Sequence, residues 1–551
     1  MCQRFVVKTM AFLVAWGMAV GTNAAVVTVG KTGNWSDATT WTGGVVPGAG
    51  DTVVWGGEYV VSATDAELRS VSGITLTGGY GAYGGSVGTL KSQTITDPSR
   101  LTLTSGHLYV DTVGTAESPV TLTNSGTRVF SYENRANITI HGDYVSTKNG
   151  LIILNGGSDA SNVSHLTAKN IKVEGGSLYI YNYDAASYGG VKGDTFTLDR
   201  GAKVAVFSPY KRDEDPTKKA SFAINSTTAN ISGSLGESSP TGFLDILSVA
   251  SNGYTSTVNF SGTACVQELS VGAQGIAVFH QTGGSIRILN PDRGFFIPAS
   301  GVGSGTYTMS GGTLNTTNMF LNYGKSFVQQ TQGTIDVSGT LTLGTSSNLQ
   351  TGRTTLYEMK GGTLSAKNIA GASTLLKLAG GTVQTDHVTG NLFNDGAEIS
   401  PFTATEGITF TGDYAQTAGS IHANGLTAKN ARLSGGEFSI DLSEGDSFSR
   451  FTGDLFLGEN LILSVRDDWM DTGVSYLLTA ATMSGTSFAE IFSKSMAAGA
   501  IANYWTYSPH EDGYRIHLNA SAIPEPSSLW LMLIGMVGFF RKREFFQRKD
   551  G

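Results

Sequence analysis

The sequence predicts an all-β fold: a right-handed single-stranded parallel β-helix with an N-terminal cap and a small C-terminal β closing unit. Three observations lead there. Between residues 26 and 520, apolar residues alternate with Thr, Ser and Asn over short stretches, as in Leu101-Thr102-Leu103-Thr104 and Leu341-Thr342-Leu343. Alternation bounded by Gly or Asn marks short, half-buried strands joined by tight turns. A turn-plus-strand phrase also recurs: VEGGSL (173–178), QTGGSI (281–286), MSGGTL (309–314), QTQGTI (330–335), MKGGTL (359–364), LAGGTV (378–383), QTAGSI (416–421) and LSGGEF (433–438). Finally, LTAKNIKVEGGSLYI (166–180) echoes LTAKNARLSGGEFSI (426–440), and ITIHGDYV (138–145) echoes ITFTGDYA (408–415).

The spacing of these phrases selects a solenoid. Gly284, Gly312, Gly333, Gly362 and Gly381 are 28, 21, 29 and 19 residues apart, close to the ~20–50 residue period of repeat architectures. Unequal intervals suit a β-helix, whose coils lengthen at their corners, better than a propeller. One coil cannot bury its own apolar face, so coils must stack. Leu314, Leu364 and Val383 hold the same place in three phrases and are expected to point inward as a ladder, with Thr363 facing out. Gly is expected where the chain turns through positive φ. Asn170, Asn368 and Asn430 are expected at corners in left-handed geometry. With 40% hydrophobic residues, the chain can bury a core and does not read as a disordered linker.

The order of segments follows. Residues 1–25 read as a signal peptide: Arg4 and Lys8, an apolar run from Met10 to Val20, then Thr22-Asn23-Ala24. The run is about half of the ~20 residues a membrane span needs, so removal by signal peptidase is expected rather than anchoring. Residues 26–130 are the cap and first coils, 131–450 the repeats, 451–521 the closing unit and 522–551 a sorting tail. In the cap, GNWSDATTWTGGVVPGAGDTVVW (33–55) brings Trp35, Trp41 and Trp55 together. It resembles the opening segment of secreted bacterial β-helix and autotransporter-like proteins, which implies a cover for the first coil; the alternative is an aromatic platform for sugars. In the closing unit, Leu461–Val465, Ser475–Leu478 and Tyr514–Leu518 read as antiparallel strands, and Ser487–Ala500 as the only helix of the mature body.

The tail runs Pro524-Glu525-Pro526, then an apolar stretch from Leu529 to Phe540, then Arg541-Lys542-Arg543. A stiff hinge, a short hydrophobic helix and a cationic stop form a stop-transfer pattern with its basic end in the cytoplasm. This arrangement resembles the PEP-CTERM sorting signal of Gram-negative bacteria. The resemblance implies an exosortase-type transpeptidase as partner, transient anchoring in the inner membrane, cleavage near Pro524-Glu525-Pro526, and delivery to the cell surface or extracellular polysaccharide. The added EFFQRKDG after the basic cluster departs from the usual pattern.

Charge and chemistry narrow the function. Formal charge is −8, and removing the signal and residues 541–551 leaves roughly −13, which disfavours nucleic acid as a partner. Cys2 leaves with the signal, so Cys265 has no intramolecular partner. No cofactor is expected. No catalytic signature stands out: a Gly-His-Gly turn of the polygalacturonase type is absent, Gly106-His107-Leu108 coming nearest. The one compact ionisable group is His280, Arg287, Asp292 and Arg293, which could serve a lyase as base and charge stabiliser. Asp467, Asp468 and Asp471 could hold one calcium ion. Lys211–Pro216 reads as a solvated loop. The reading favoured here is a structural or adhesive surface protein of the cell envelope, biofilm or matrix; the rival binds or degrades polysaccharide.

Overall fold

A computed structural model describes most of residues 24–518, leaving out 77–87, 156–163, 208–219, 237–243, 345–354, 467–474 and several shorter segments. The chain divides into two compact units. One comprises residues 1–289 with 298–306, and the other residues 290–297 with 307–551.

The first unit opens with four parallel strands: Val26–Thr28, Thr52–Trp55, Gly73–Leu76 and Leu101–Leu103. Trp55, the last residue of the second of these strands, packs with Trp35 and Trp41, and all three are buried: Trp35 is 1% exposed, Trp41 3% and Trp55 0%. Trp35 meets Trp41 edge-on with ring centres 4.8 Å apart, and the Trp41 indole N–H donates to the Trp35 carbonyl at 2.7 Å. Buried and packed on one another, the three rings offer no open face to a sugar.

Parallel coils follow. Val61, Leu90, Leu108, Val129, Ile152, Leu178, Val204, Leu235, Ala264 and Ile286 pair rung upon rung. All ten are buried. The ladder makes nine steps over 225 residues, an average of 25 per coil. Each buried Val, Leu or Ile contributes about 1.5–3 kcal/mol, so the stack supplies what a single coil lacks. A second ladder lies on the next strand of each coil: Leu122, Tyr144, Ile171, Phe196, Ala229, Val258 and Phe279.

In the second unit the expected inward ladder is present and longer than the three residues named from sequence. Leu314, Ile335, Leu364, Val383, Ile399, Ile421, Phe438 and Leu463 stack in register and are all buried. The phrase glycines do turn through positive φ: Gly312 at 81°, Gly333 at 79°, Gly362 at 79° and Gly381 at 85°. They also stack on one another. A Cβ on Gly362 would lie 2.5 Å from the Gly333 carbonyl oxygen, so the turn excludes any side chain for steric as well as conformational reasons.

The corners correct one expectation. Among the described residues only Lys148 and Ala250 are non-glycine with positive φ, so Asn170, Asn368 and Asn430 are not left-handed. The bend is taken up by register shifts, as between Ile140 and Asp143, and by Gly142 at φ 132°. The asparagines instead bond along the stack. Asn170 Nδ2 donates to Asp143 Oδ1 at 2.8 Å, and Asn430 Nδ2 donates to Asp413 Oδ1 at 2.7 Å. These are the Asn of LTAKN and the Asp of GDY in both copies of the echoes. The two echoes thus mark one two-coil unit used twice.

The closing segment also differs from expectation. Leu461–Val465 belongs to the long strand Ser447–Arg466, which continues the parallel stack against Ala431–Asp441. Antiparallel pairing begins only where Ser475–Gly485 meets Gly513–Leu518, which in turn pairs with Trp505–His510. Leu463 occupies an inward rung like those before it, so local composition concealed its parallel pairing. A helix, Phe488–Ala497, starts at Ser487, whose Oγ accepts from the Glu490 N–H. It seats Phe488 on Tyr514 at 4.3 Å. It is not the only helix: Asp65–Arg69 forms a short one with a capping box at Thr64 and Glu67, a signature of Thr-x-x-Glu overlooked in the sequence.

Candidate functional site

Alternation leaves every second side chain of each strand on the outside, so any working surface must be built from outward columns. In the second unit two of these columns are mostly small and polar, while others carry Phe296 on Phe320 and Arg432 over Phe456. Thr313, Thr334, Thr363 and Thr382 are in register. One strand over run Asn318, Thr340, Asn368, His387, Thr409 and Thr427. Two ionic groups interrupt this face. Glu358 takes the Gln329 amide at 2.8 Å, Lys360 at 3.0 Å and Lys377 at 3.2 Å. The Gln329 hydrogen bond first, then Lys360, holds its carboxyl down to about 2. Glu398 lies 3.3 Å from His422 Nε2, and Ser420 Oγ is 3.1 Å from the same nitrogen. An activated serine needs base and orienting acid on opposite imidazole nitrogens. With both partners on Nε2, this cluster is a polar clamp across two coils.

The interior of the same unit holds polar groups that sequence reading passed over. The lead-in residue of each phrase forms its own column: Gln330, Met359, Leu378, Asn394, Gln416 and Leu433. Gln416 is fully buried. Its Nε2 donates to the carbonyls of Gly435 at 3.0 Å and Glu437 at 3.1 Å, while its Oε1 accepts from the Tyr414 hydroxyl at 2.6 Å. Gln330 does the same with Gly333, Thr363 and Tyr357. Each amide satisfies turn carbonyls that would otherwise be buried without partners. Burial pushes the hydroxyls of Tyr357 and Tyr414 well above the ordinary tyrosine range.

In the first unit two columns flanking the inward ladder carry rings and cations: Thr89, His107, Arg128, Leu151, Ser177, Lys203 and Lys91, Tyr109, Phe130, Ile153, Tyr179, Ala205, of which Thr89, Ile153 and Ala205 are buried. Tyr109 stacks on Phe130 with centres 4.8 Å apart and an interplanar angle of 11°. His107 meets Phe130 edge-on at 5.2 Å. Lys91 lies over Tyr109 at 5.2 Å and Lys203 over Tyr179 at 5.4 Å. Burial, aided by the Arg128 guanidinium, pushes His107 down to about 4, so it is neutral at physiological pH. Sequence reading considered His107 only as a failed catalytic turn. The usable signal was the triplet polar–apolar–aromatic, as in His107-Leu108-Tyr109 and Arg128-Val129-Phe130, recurring at coil spacing.

The residues proposed for chemistry are placed as follows. His280 lies on Ile276–Gln281 opposite Asn259. Arg287 lies on Ser285–Ile288 opposite Cys265, exposed and outward, on a different column from His280. Asp292 and Arg293 belong to the other unit, in the turn before Gly294–Phe296, where the Asp292 N–H donates to Asn290 Oδ1 at 2.9 Å. Asp467, Asp468 and Asp471 lie outside the described residues, as do Lys211–Pro216, the signal segment 1–23 and the tail. Among the described residues no group of three His, Cys, Asp or Glu could hold a metal ion. Nor is any described helix long and apolar enough to cross a membrane.

No curated protein and no solved structure matches the chain. Residues 522–543 match the PEP-CTERM protein-sorting motif. That span contains Pro524-Glu525-Pro526, the apolar stretch and Arg541-Lys542-Arg543, and it implies processing by signal peptidase and an exosortase. The match speaks for the tail, and the paired ladders speak for the body: this is an exported bacterial protein, sorted to the cell surface, whose body is a parallel β-solenoid.

Proposed function

We propose that the chain is a structural or adhesive component of the Gram-negative cell surface or its polysaccharide matrix. The observation that supports this reading is the outward Thr, Ser and Asn columns of the second unit, such as Thr313, Thr334, Thr363 and Thr382. Such a face makes many weak hydrogen bonds, and the acid and imidazole it carries, Glu398 and His422, close on each other at 3.3 Å. In this reading Pro524-Glu525-Pro526 marks the processing point and Arg541-Lys542-Arg543 the cytoplasmic stop.

A second reading, polysaccharide binding or degradation, draws on the aromatic and cationic columns of the first unit. A screen of the purified chain against uronic-acid and neutral polymers, with and without calcium, separates the two. Absence of new reducing or unsaturated ends is expected. Cleavage that disappears on Arg287→Ala or Arg293→Ala would overturn the structural reading and place a lyase site there.

A further inference from the structure

The first strand of the solenoid is tied down by one carboxylate. Val26–Thr28 lies at the end of the four parallel strands and pairs with residues 52–54. It leads straight into the tryptophan cluster: the Thr28 carbonyl accepts from the Thr42 N–H at 2.9 Å, and Val29 bridges to Trp41. An end strand near a chain terminus frays unless something holds it. Here the hold is at Ala25. Its N–H donates to Asp51 Oδ1 at 3.0 Å, and its carbonyl accepts from the Thr52 N–H at 2.9 Å. Asp51 is itself fixed by a tight turn, in which its N–H donates to the Gly48 carbonyl at 3.1 Å and its Oδ2 accepts from the Gly48 N–H at 2.8 Å. The Gly48 N–H first, then that of Ala25, holds the Asp51 carboxyl below the ordinary carboxylate range. An ionised carboxylate is thus aimed at the nitrogen of residue 25.

From this we propose that signal peptidase cuts between Ala24 and Ala25, and that the α-ammonium so freed pairs with Asp51 and locks the first coil. The cut falls one residue before the boundary read from the sequence. It hydrolyses one peptide bond: water supplies the hydroxyl of the Ala24 carboxyl group, and the Ala25 nitrogen leaves as an amine that takes up a proton at neutral pH. Thr22 and Ala24 then stand third and first before the cut, the small-residue pattern such a site needs, and Ala24 and Ala25 are both exposed. A cut after Ala25 would remove both the donor to Asp51 and the acceptor for Thr52. A cut after Ala24 keeps both and puts a charged donor in place of a neutral one, and charge-assisted bonds are about twice as strong. In the precursor the same nitrogen is an uncharged amide, so the first coil reaches full stability only after processing. The inference stands whichever ligand the outer columns take.

Mass spectrometry of the chain recovered from cells reads the first residue, and the N-terminal peptide is expected to begin Ala25-Val26-Val27. Hydrogen exchange at Val26–Thr28 then reads the lock, in a cycle of wild-type chain and Asp51→Asn, each with and without acetylation of the α-amine. Acetylation keeps an N–H and removes the charge, and the cycle separates the ion pair from the Gly48 bond that Asp51→Asn also weakens. Acetylation should speed exchange about two- to fivefold in the wild type, the range of an exposed ion pair, and leave Asp51→Asn unchanged. A mature chain that begins at Val26 or at any other residue would overturn the cleavage site. Acetylation that acts equally on wild type and Asp51→Asn, or on neither, would overturn the ion pair.

Discussion

Each unit is built on the same kind of interior, and the two differ in some of the columns they turn outward. In both, one strand of each coil gives a single inward aliphatic residue: Leu108, Val129 and Ile152 in the first, Leu314, Ile335 and Leu364 in the second. Outward, the first unit sets Tyr109 on Phe130 beside Lys91, while the second runs threonine on threonine through Thr313, Thr334 and Thr363 and keeps its ring stack to Phe296 and Phe320. At the turns both units mix apolar residues with buried amides. Asn124 and Gln281 stand at the ends of the first unit's column through Val173, Leu198, Ile231 and Phe260, and Gln330, Asn394 and Gln416 share a column with Met359, Leu378 and Leu433 in the second. Stacking therefore constrains one side chain in two, and the other is left for the surface the protein works with.

The largest expected effect tests the inside and outside of one rung. Leu364→Asp places an unpaired charge in the core and should cost several kcal/mol. Its neighbour Thr363→Asp faces outward and should change stability by only about 0.5 kcal/mol. Denaturant unfolding of the pair measures both, and equal losses would reject the alternation.

Raising the pH probes the buried hydroxyls. Burial lifts Tyr144 to about 12 in the first unit and raises Tyr307, Tyr357, Tyr414 and Tyr476 in the second. Each keeps its proton to higher pH folded than unfolded. The stabilisation is therefore complete below the ordinary tyrosine value of 10.0 and lost as pH rises through the folded value. Tyr144 alone accounts for on the order of 2–3 kcal/mol. With four such hydroxyls, the second unit should lose protection first in hydrogen exchange between pH 10 and 12; simultaneous loss in both units, or none, would contradict this. A smaller effect is expected at the turns. Gln416→Ala takes the amide from the Gly435 and Glu437 carbonyls and one partner from the Tyr414 hydroxyl, at about 1–3 kcal/mol. The same column's Met359→Leu should cost less than about 1.5 kcal/mol.

Much of the fold was legible because it is periodic. Alternation and the phrase glycines located the inward ladder of Leu314, Leu364 and Val383, and the echoes located the paired coils. What escaped detection was whatever depends on the neighbouring coil. Asn170 and Asn430 looked like left-handed corner residues, yet their role is a bond to Asp143 and Asp413 one coil away. Gln416 looked like an interchangeable lead-in because its partners are about twenty residues downstream. The strand Leu461–Val465 looked antiparallel because strand direction is set by the partner and not by composition. The aromatic strip was missed for the same reason: Tyr109 and Phe130 are ordinary until stacking brings them to 4.8 Å.

Delivery of this solenoid to the surface rests on the tail, and mass spectrometry of the chain recovered from the cell surface tests it most directly. The sorting motif at 522–543 predicts that surface protein ends near Pro524-Glu525-Pro526 and lacks Phe545–Gly551. Replacing the triplet with alanines should trap an uncleaved precursor in the inner membrane. Surface-located wild-type chain that still carries Phe545–Gly551 would contradict it.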